Sequence, residues 1–368
     1  MTRDCSAVSA KQQETLGEYV RVTAPVRTAD VGGWTDTWFA GRGMVTNVAV
    51  GPGVGVEVRA VDGSPDEARI MIVDALALVH GEEPIPSSVA PLMYRFDGMV
   101  SLENPQASAD PFVAMAVAVA GPKRRLEVTL RSSVPTACGL GTSAAISVAV
   151  IGAVWTIENR RFTMAELATA ALAVETGLGL QSGIQDQLAA AFGGTHRFDV
   201  RYPTLGYAHR LTPDPVDLFA DRLVTVYLGQ PHSSSAIHEQ VIAELEAGGH
   251  RRALDDLRVA AMNAAASLLR GDLRGFGRSM TEHNDATRRL HPTIVSTVAD
   301  EIGAMAMDHG AVGWKANGAG GNGGTISLVA SENCNERASL LERLRQHQVC
   351  EVLAVEPVAN GFLVTSTA

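Results

Sequence analysis

A glycine-rich segment near the middle of the chain has the residue types of an anion-binding turn. It reads VPTACGLGTSAA over residues 134–145 and leads into an apolar run. Gly139 and Gly141 permit positive φ, and Thr142 and Ser143 supply hydroxyls where we expect the N-cap of a helix. Bare N–H groups at a helix N-terminus attract phosphate. The segment is neither a Walker A motif nor a dinucleotide fingerprint, and simple helix capping is the alternative.

Two other segments place carboxylates where they could act on a hydroxyl group. Residues 30–37 read DVGGWTDT, and a carboxylate such as Asp36 beside an aromatic ring suits a sugar. Residues 181–194 read QSGIQDQLAAAFGG and place Asp186 in the first turn of a short helix. The structural alternatives are a capped hairpin turn and an acid that complements the helix dipole.

A third glycine cluster, KANGAGGNGG at residues 315–324, stands directly before a strand-like run. So many glycines are entropically costly unless the backbone must approach something closely. A binding loop is therefore predicted, with a flexible loop as the alternative.

Composition indicates an ordinary globular chain of 368 residues, 46% hydrophobic and 19% charged. A net charge of −10 argues against nucleic acid and membrane surfaces as partners, because both select basic faces. The four cysteines form no C-x-x-C pair, so a cytoplasmic location is expected. Residues 1–20 have the composition of a disordered leader rather than a signal peptide.

Hydrophobic periodicity predicts the elements that position these segments. Two domains are expected, at 21–210 and 211–368, with a junction near 205–222 marked by prolines. Gly51-Pro52-Gly53 is expected to join two strands within 44–61. The other predicted strands are 19–27, 70–73, 125–132, 223–229, 325–329, 351–358 and 361–365; the predicted helices are 111–120, 144–157, 163–175, 236–247, 251–270, 272–290, 293–310 and 335–347.

Together the three glycine-containing segments resemble the motifs of the GHMP small-molecule kinase superfamily. The N-terminal motif is Ala24-Pro25-Val26-Arg27 with residues 32–37, the second is the turn at 135–145, and the third is 318–323. The resemblance implies a two-domain α+β fold, with an N-terminal mixed-sheet domain and a C-terminal ferredoxin-like α/β domain. Residues 32–37, 183–187 and 232–235 look most like the branch that contains L-fucokinase and D-glycero-D-manno-heptose 7-phosphate kinase.

The resemblance implies that ATP and Mg²⁺ are cofactors. Ser143 and Glu175 would ligate Mg²⁺, which needs few protein ligands beside phosphate oxygens and water. Residues of the turn and of the third cluster would bind ATP: Pro135, Gly139, Leu140, Gly141, Thr142, Ser143, Ala144, Gly320 and Gly321.

The same resemblance makes Asp186 the catalytic carboxylate that accepts the proton from, or orients, the attacking hydroxyl. Arg27 would keep Asp186 ionised and neutralise charge on the transferred group. Substrate contacts are implied for Trp34, Thr35, Asp36, Gly183, His232, Ser233 and Asn322. Asn322 stands where the family usually has glycine, and we expect asparagine to tolerate positive φ at this position.

The predicted activity is phosphorylation of a hydroxyl, first of all the anomeric one, on a heptose 7-phosphate or a fucose-like sugar. Galactose is disfavoured as a substrate, because Gly33 and Trp34 stand where galactokinase-like members of the superfamily have a Glu-His pair. The alternatives are a C7-cyclitol kinase and an inactive sensor of sugar and ATP. Residues that could hold a phosphate on the substrate are Arg42, Arg197 and Arg201. A monomer or homodimer is expected.

Overall fold

The computed structural model describes residues 18–74, 96–212, 216–231 and 235–367, so residues 1–17 of the predicted leader lie outside it. The strands are β1 (Tyr19–Val31), β2 (Arg42–Val61), β3 (Glu67–Asp74), β4 (Phe96–Ser101), β5 (Arg125–Ser132), β6 (Thr195–Arg201), β7 (Thr204–Arg210), β8 (Leu223–Tyr227), β9 (Gly313–Ala316), β10 (Thr325–Val329), β11 (Glu351–Val352), β12 (Glu356–Pro357) and β13 (Leu363–Thr367). The α-helices are α1 (Pro111–Ala120), α2 (Thr142–Ile157), α3 (Met164–Gly177), α4 (Gln185–Phe192), α5 (Val216–Phe219), α6 (Ser235–Glu246), α7 (Arg251–Leu269), α8 (Leu273–Leu290), α9 (Thr297–Asp308) and α10 (Cys334–Arg345).

The larger sheet has nine strands among the described residues. Its main path runs β13-β1-β2-β5-β3-β4, while β12 and β6 also pair with β2, and β7 pairs with β6. Strands β3 and β5 run parallel, and the sheet is therefore mixed, as predicted. The first part of β1 alternates buried and outer positions, but both of its faces are buried from Ala24 to Val31. The second domain packs against this part of β1, where Thr28 contacts Ser327 of β10.

Helix α2 is buried almost all round, because its residues are small or branched and apolar on every side. It lies between β1 and β2 on one side and α1, α3 and α4 on the others. Its N-terminus follows the glycine-rich turn directly, so the core of the domain holds that turn in place.

The smaller sheet has the order β11-β8-β10-β9 and is antiparallel throughout. Its core cluster includes apolar residues of α9 and α10. This α/β layer agrees with the predicted C-terminal domain, although the boundary near residue 210 stays a prediction. Strands β12 and β13 pair with β2 and β1, so residues 356–367 of the predicted second domain extend the larger sheet.

The prediction of two strands joined by a turn at Gly51-Pro52-Gly53 is wrong, since β2 is a single strand through these residues. Strand β1 pairs with it on both sides of the glycines, with a register shift between Ala24 and Val26. A Cβ on Gly53 would lie 2.3 Å from the carbonyl oxygen of Ala24. Glycine serves close strand approach here rather than a turn.

In the described ranges no helix is long and apolar enough to span a membrane.

Candidate active site

The glycine-rich turn is closed by its own residues and leaves a helix N-terminus at the site. Gly141, at φ 73°, is the N-cap of α2, so the prediction that Thr142 and Ser143 cap the helix is wrong. Thr142 is the first helical residue, and its hydroxyl donates to the carbonyl of Pro135 at 3.1 Å. A Cβ on Gly141 would lie 2.9 Å from Oδ2 of Asp186, so glycine lets the turn approach this carboxylate.

Arg27 and Asp186 form a bidentate ion pair beside the turn. Nε and Nη2 of Arg27 donate to Oδ1 and Oδ2 of Asp186 at 2.8 and 2.9 Å. Nη1 donates to the carbonyl of Gly139, and the backbone N–H of Arg27 donates to Leu140 at 3.0 Å. Burial opposes the charge on Arg27, but the carboxylates of Asp186 and Asp30 raise its pKa above the ordinary value. The arginine is thus a fixed cation that holds the turn to the carboxylate.

Ser143 and Glu175 are together, as the resemblance implied. The hydroxyl of Ser143, in the first turn of α2, donates to Oε1 of Glu175 on α3 at 3.0 Å. Burial raises the pKa of Glu175, and the charge of Asp186 adds to this. The described residues contain no cluster of three or more His, Cys, Asp or Glu that could hold a metal. Two hard oxygen donors suit Mg²⁺ when phosphate and water complete its coordination.

The third glycine cluster reaches the turn at one point. A Cβ on Gly318 would lie 3.2 Å from Cα of Gly139, so the two backbones are in contact. Gly320 and Gly321 are further along and pack against Ile294: a Cβ on Gly320 would lie 2.3 Å from its carbonyl, and Gly321 donates to that carbonyl at 2.7 Å. Neither borders the cavity described next.

Asn322 differs from the prediction. Its side chain is exposed, and its φ is not positive, unlike those of the glycines around it. The cluster makes its left-handed turns at glycines, so nothing requires asparagine to adopt that conformation. Asn322 also does not border the cavity.

A cavity of about 150 Å³ opens beside the ion pair. Predicted residues Arg27, Trp34, Asp36, Gly183 and Asp186 border it. Gly318 and Ala319 of the third glycine cluster, which was predicted to be a binding loop, also border it. The sequence analysis did not assign the other lining residues: Thr37, Trp38, Phe39, Gln181, Ser182, Gln185, His238 and Ile242. The aromatic residues that follow Trp34 were the one signal that could have extended the prediction.

Asp36 is held by the start of α4. Its Oδ2 accepts a hydrogen bond from the backbone N–H of Gln185 at 2.9 Å, and a Cβ on Gly183 would lie 2.1 Å from the same oxygen. Burial raises the pKa of Asp36 to about 6, and the nearby charges of Asp186 and Asp30 contribute. The carboxylate therefore lies on the cavity wall, and no described lysine or arginine forms an ion pair with it.

Thr35, a predicted substrate contact, does not border this cavity. Thr35 is fully buried, and its hydroxyl donates to the carbonyls of Gly32 and Met44 and accepts from the N–H of Met44. Its hydroxyl group therefore organises the loop. His232 and Ser233 lie outside the described residues.

A second polar network lies behind Arg27, and sequence analysis did not find it. Lys315 of β9 donates to Oδ1 of Asp30 at 2.8 Å, and both side chains are 0% exposed. Oδ1 also accepts from the backbone N–H of Gly318 at 3.3 Å, and Oδ2 accepts from the side-chain amide of Gln185 at 3.3 Å. Burial opposes the charge on Asp30, but Arg27 and Lys315 hold its pKa below the ordinary value.

Asn317 joins the two domains in the same region. Its Oδ1 accepts from the backbone N–H of Ala29 at 3.1 Å and from the hydroxyl of Ser327 at 2.7 Å. Its Nδ2 donates to Thr325 at 3.0 Å. The start of the third glycine cluster is therefore anchored to β1 and β10 before it reaches the turn.

Comparison with solved structures identifies the fold that carries this site. The structure superimposes on Lactococcus lactis galactokinase complexed with galactose with a TM-score of 0.68, over 95% of this chain and 95% of that one, at 17% identity. The fold is the GHMP kinase fold, which confirms the predicted two-domain α+β class.

Residues 111–194 match the family model described as the GHMP kinases N terminal domain. The predicted resemblance to the GHMP kinase superfamily is confirmed for this part of the chain.

Two curated proteins show the range of its relatives. The bifunctional fucokinase/GDP-fucose pyrophosphorylase of Arabidopsis thaliana is 26% identical over 354 residues, which are 90% of this chain and 32% of that protein. The D-glycero-alpha-D-manno-heptose 7-phosphate kinase of Campylobacter jejuni is 24% identical over 225 residues, 59% of this chain and 64% of that one. The chain thus spans about a third of the plant relative.

Proposed function

We propose that the chain is an ATP- and Mg²⁺-dependent kinase that phosphorylates a hydroxyl group of a sugar, a sugar phosphate or a cyclitol. The observation that carries the proposal is the bidentate Arg27–Asp186 pair, placed between the N-terminus of α2 and a cavity that holds a second carboxylate. A phosphate-binding turn, a fixed cation and a carboxylate at an acceptor cavity are the parts that phosphoryl transfer needs.

The protein residues divide the work as follows. The amides at the N-terminus of α2 bind phosphate oxygens, and Ser143 and Glu175 hold the metal. When bound, ATP supplies the transferable phosphoryl group, and Mg²⁺ neutralises part of its negative charge. Asp186 orients the acceptor hydroxyl and takes its proton at the exposed part of its carboxylate. Arg27 holds the carboxylate of Asp186 in place through two hydrogen bonds and adds positive charge where negative charge develops.

The anomeric hydroxyl of a fucose-like sugar or of a heptose 7-phosphate is the first candidate acceptor. The support is that curated relatives are named as a fucokinase and as a heptose 7-phosphate kinase. Asp36 and the aromatic residues beside it supply the acceptor and apolar groups that a polyol ring needs.

The test is ADP release from Mg·ATP over a panel of free sugars, sugar phosphates and C7 cyclitols, with phosphorus NMR of each product. An anomeric phosphate supports the first candidate, and turnover of cyclitols alone supports the alternative. Saturable ATP binding without turnover of any acceptor would contradict the kinase proposal and favour a sensor. The Ser143→Ala variant should weaken Mg²⁺-dependent ATP binding, which checks the cofactor site without an acceptor.

A further inference from the structure

The acceptor cavity has no free positive charge in the described part of the chain. Arg27 is the only cationic arginine or lysine among the described lining residues. All three of its guanidinium nitrogens already donate: two to Asp186 and one to the carbonyl of Gly139. Because the carboxylate of Asp186 already balances its charge, Arg27 attracts a phosphate on the acceptor less than an unpaired cation would.

The remaining titratable groups of the cavity oppose a second phosphate. Asp36 and Asp186 both lie on its wall. His238 contacts the carbonyl of Ala319 through Nε2 at 3.0 Å, and burial lowers the pKa of this histidine, which disfavours a positive charge on its ring. A phosphate dianion would lose water here and meet carboxylates instead of cations.

The arginines that the sequence suggested for a substrate phosphate do not border the cavity. Arg197 on β6 pairs with Asp199 at 3.2 Å. Arg42 and Arg201 are exposed on the paired ends of β2 and β6, where they face each other across the two strands. They provide no built phosphate site at the acceptor.

Aromatic rings form an apolar wall beside the carboxylates. Trp38 and Phe39 have ring centroids 5.1 Å apart, and Nε1 of Trp38 donates to Glu246 at 2.6 Å, which fixes its ring. Trp34 is 8% exposed, and its indole N–H has no hydrogen-bond partner in the described structure.

We propose that this cavity selects an uncharged polyhydroxy ring with an apolar C–H face and rejects the phosphate monoester of the same ring. The proposal rests on the kinase function proposed above, and it narrows the acceptor to free sugars, deoxy sugars and cyclitols. The rings of Trp34, Trp38 and Phe39 pack on the C–H face, and Asp36 accepts from the hydroxyls.

Matched pairs of acceptors test the proposal. Steady-state kinetics would compare D-glycero-D-manno-heptose with its 7-phosphate, and myo-inositol with its 1-phosphate, with L-fucose as a deoxy sugar. We expect kcat/KM to be at least about 100-fold higher for the uncharged member of any pair that is used, which corresponds to about 2.7 kcal/mol. A phosphate monoester used as well as its parent, or better, would overturn the inference while leaving the kinase function standing.

Binding provides a readout that does not depend on turnover. Titration of the tryptophan fluorescence of the ATP-free protein would give a Kd for each member of a pair, because two tryptophans line the cavity. We expect tighter binding of the uncharged member, weakened about 10-fold by Trp38→Ala. Tighter binding of the monoester would overturn the inference. If neither member of any pair binds, both the inference and the proposed function are overturned.

A charge series at Gln181 tests the electrostatic reason. This side chain is exposed at the cavity, so a lysine can be introduced there without burial. We expect Gln181→Lys to raise the ratio of kcat/KM for the monoester to that for its parent by at least about 10-fold, and Gln181→Met to leave the ratio within about 2-fold. If the ratio of kcat/KM for the monoester to that for its parent is equal in both variants, the lack of a cation at the cavity is not the cause of the selection.

Discussion

Two carboxylates flank Arg27, and their surroundings give them different roles. Asp186 accepts two hydrogen bonds from the guanidinium, and 24% of its side chain is exposed towards the cavity side of the structure. Asp30 approaches Arg27 only to 3.9 Å, has no exposed side-chain surface and pairs with Lys315. The exposed carboxylate can contact a substrate, whereas the buried one can only order its neighbours.

The two ion pairs therefore differ in what it costs to break them, because one is buried and the other is partly exposed. The pair of Asp30 and Lys315 takes two charges out of water, which costs more than an exposed pair and makes breaking it expensive. Asp30 also accepts from the backbone of Gly318, so it fixes the third glycine cluster where that cluster meets the turn. The pair of Arg27 and Asp186 remains open on one side, where a hydroxyl could replace part of its hydration.

The largest effect is expected from Asp186→Ala. Loss of the proposed base should lower kcat by about 10³- to 10⁴-fold, in the upper range for general acid–base catalysis. The Kd for Mg·ATP should change little, because the turn and Ser143 are retained. Steady-state kinetics and ATP titration measure both quantities. Asp199→Ala, which removes a carboxylate from the half-buried pair with Arg197 away from the cavity, is the control and should keep its activity.

An Asp186→Ala enzyme with unchanged kcat would remove Asp186 from the mechanism and make the two carboxylates equivalent in role.

Breaking the buried pair should act on folding before it acts on chemistry. Lys315→Met leaves Asp30 as a buried charge with Arg27 as its remaining neighbour, so the free energy of unfolding should fall by about 3–5 kcal/mol. Urea denaturation measures this loss. The control Arg69→Met breaks an exposed pair with Asp97 and should cost far less.

The double variant Asp30→Asn/Lys315→Met separates charge from packing. It removes both charges, so we expect it to recover a large part of the stability that Lys315→Met loses. A double variant as unstable as Lys315→Met alone would show that the methylene chain of Lys315, not its charge, is what the site requires.

The sequence allowed one of these two networks to be predicted but not the other. Arg27, Ser143 and Asp186 each lie in a local motif, and the family resemblance implied Glu175 through its spacing from Asp186. The structure brings Arg27 to Asp186 and Ser143 to Glu175. Asp30 and Lys315 are separated by 285 residues along the chain, and no local spacing connects them. Such pairs depend on how the domains pack, which periodicity does not encode.

The fold shows the same limit. Helix α1 and strand β5 were predicted with their observed bounds because a proline start and strict alternation are local signals. Strand β2 was divided in two because its glycines and proline are typical of turns, although the neighbouring strands keep it extended. The hairpin of β6 and β7 was missed because both strands carry many polar residues.

Asp36 is a third carboxylate of this group, and it forms no ion pair with any residue in the described part of the chain. Its pKa rises from 3.8 to about 6 on folding, so the folded protein binds the proton more tightly than the unfolded chain. The stabilisation that this gives is fully present below pH 3.8 and is lost as the pH rises through about 6. Above that pH, Asp36→Asn should raise the free energy of unfolding by up to about 3 kcal/mol.

The gain from Asp36→Asn should disappear near pH 4, where the wild-type carboxyl is mostly protonated in the folded state. Urea denaturation at pH 4 and pH 8 measures the difference. A gain of equal size at both values would mean that the amide improves packing and that the ionised carboxylate is not destabilised by its site.

The smallest effect is expected where a carboxylate serves one helix only. Asp110 is also buried, but it caps α1, and its Oδ1 accepts from the backbone N–H of Val113 at 3.0 Å. Asp110→Ala should lower the free energy of unfolding by about 1 kcal/mol, and Asp110→Asn should retain most of the cap. Both variants should keep the kcat of the wild type, because Asp110 contacts neither the turn nor the cavity. A large fall in kcat for Asp110→Ala would mean that modest destabilisation alone impairs the site, and the losses seen for the other carboxylates would then not report on their individual roles.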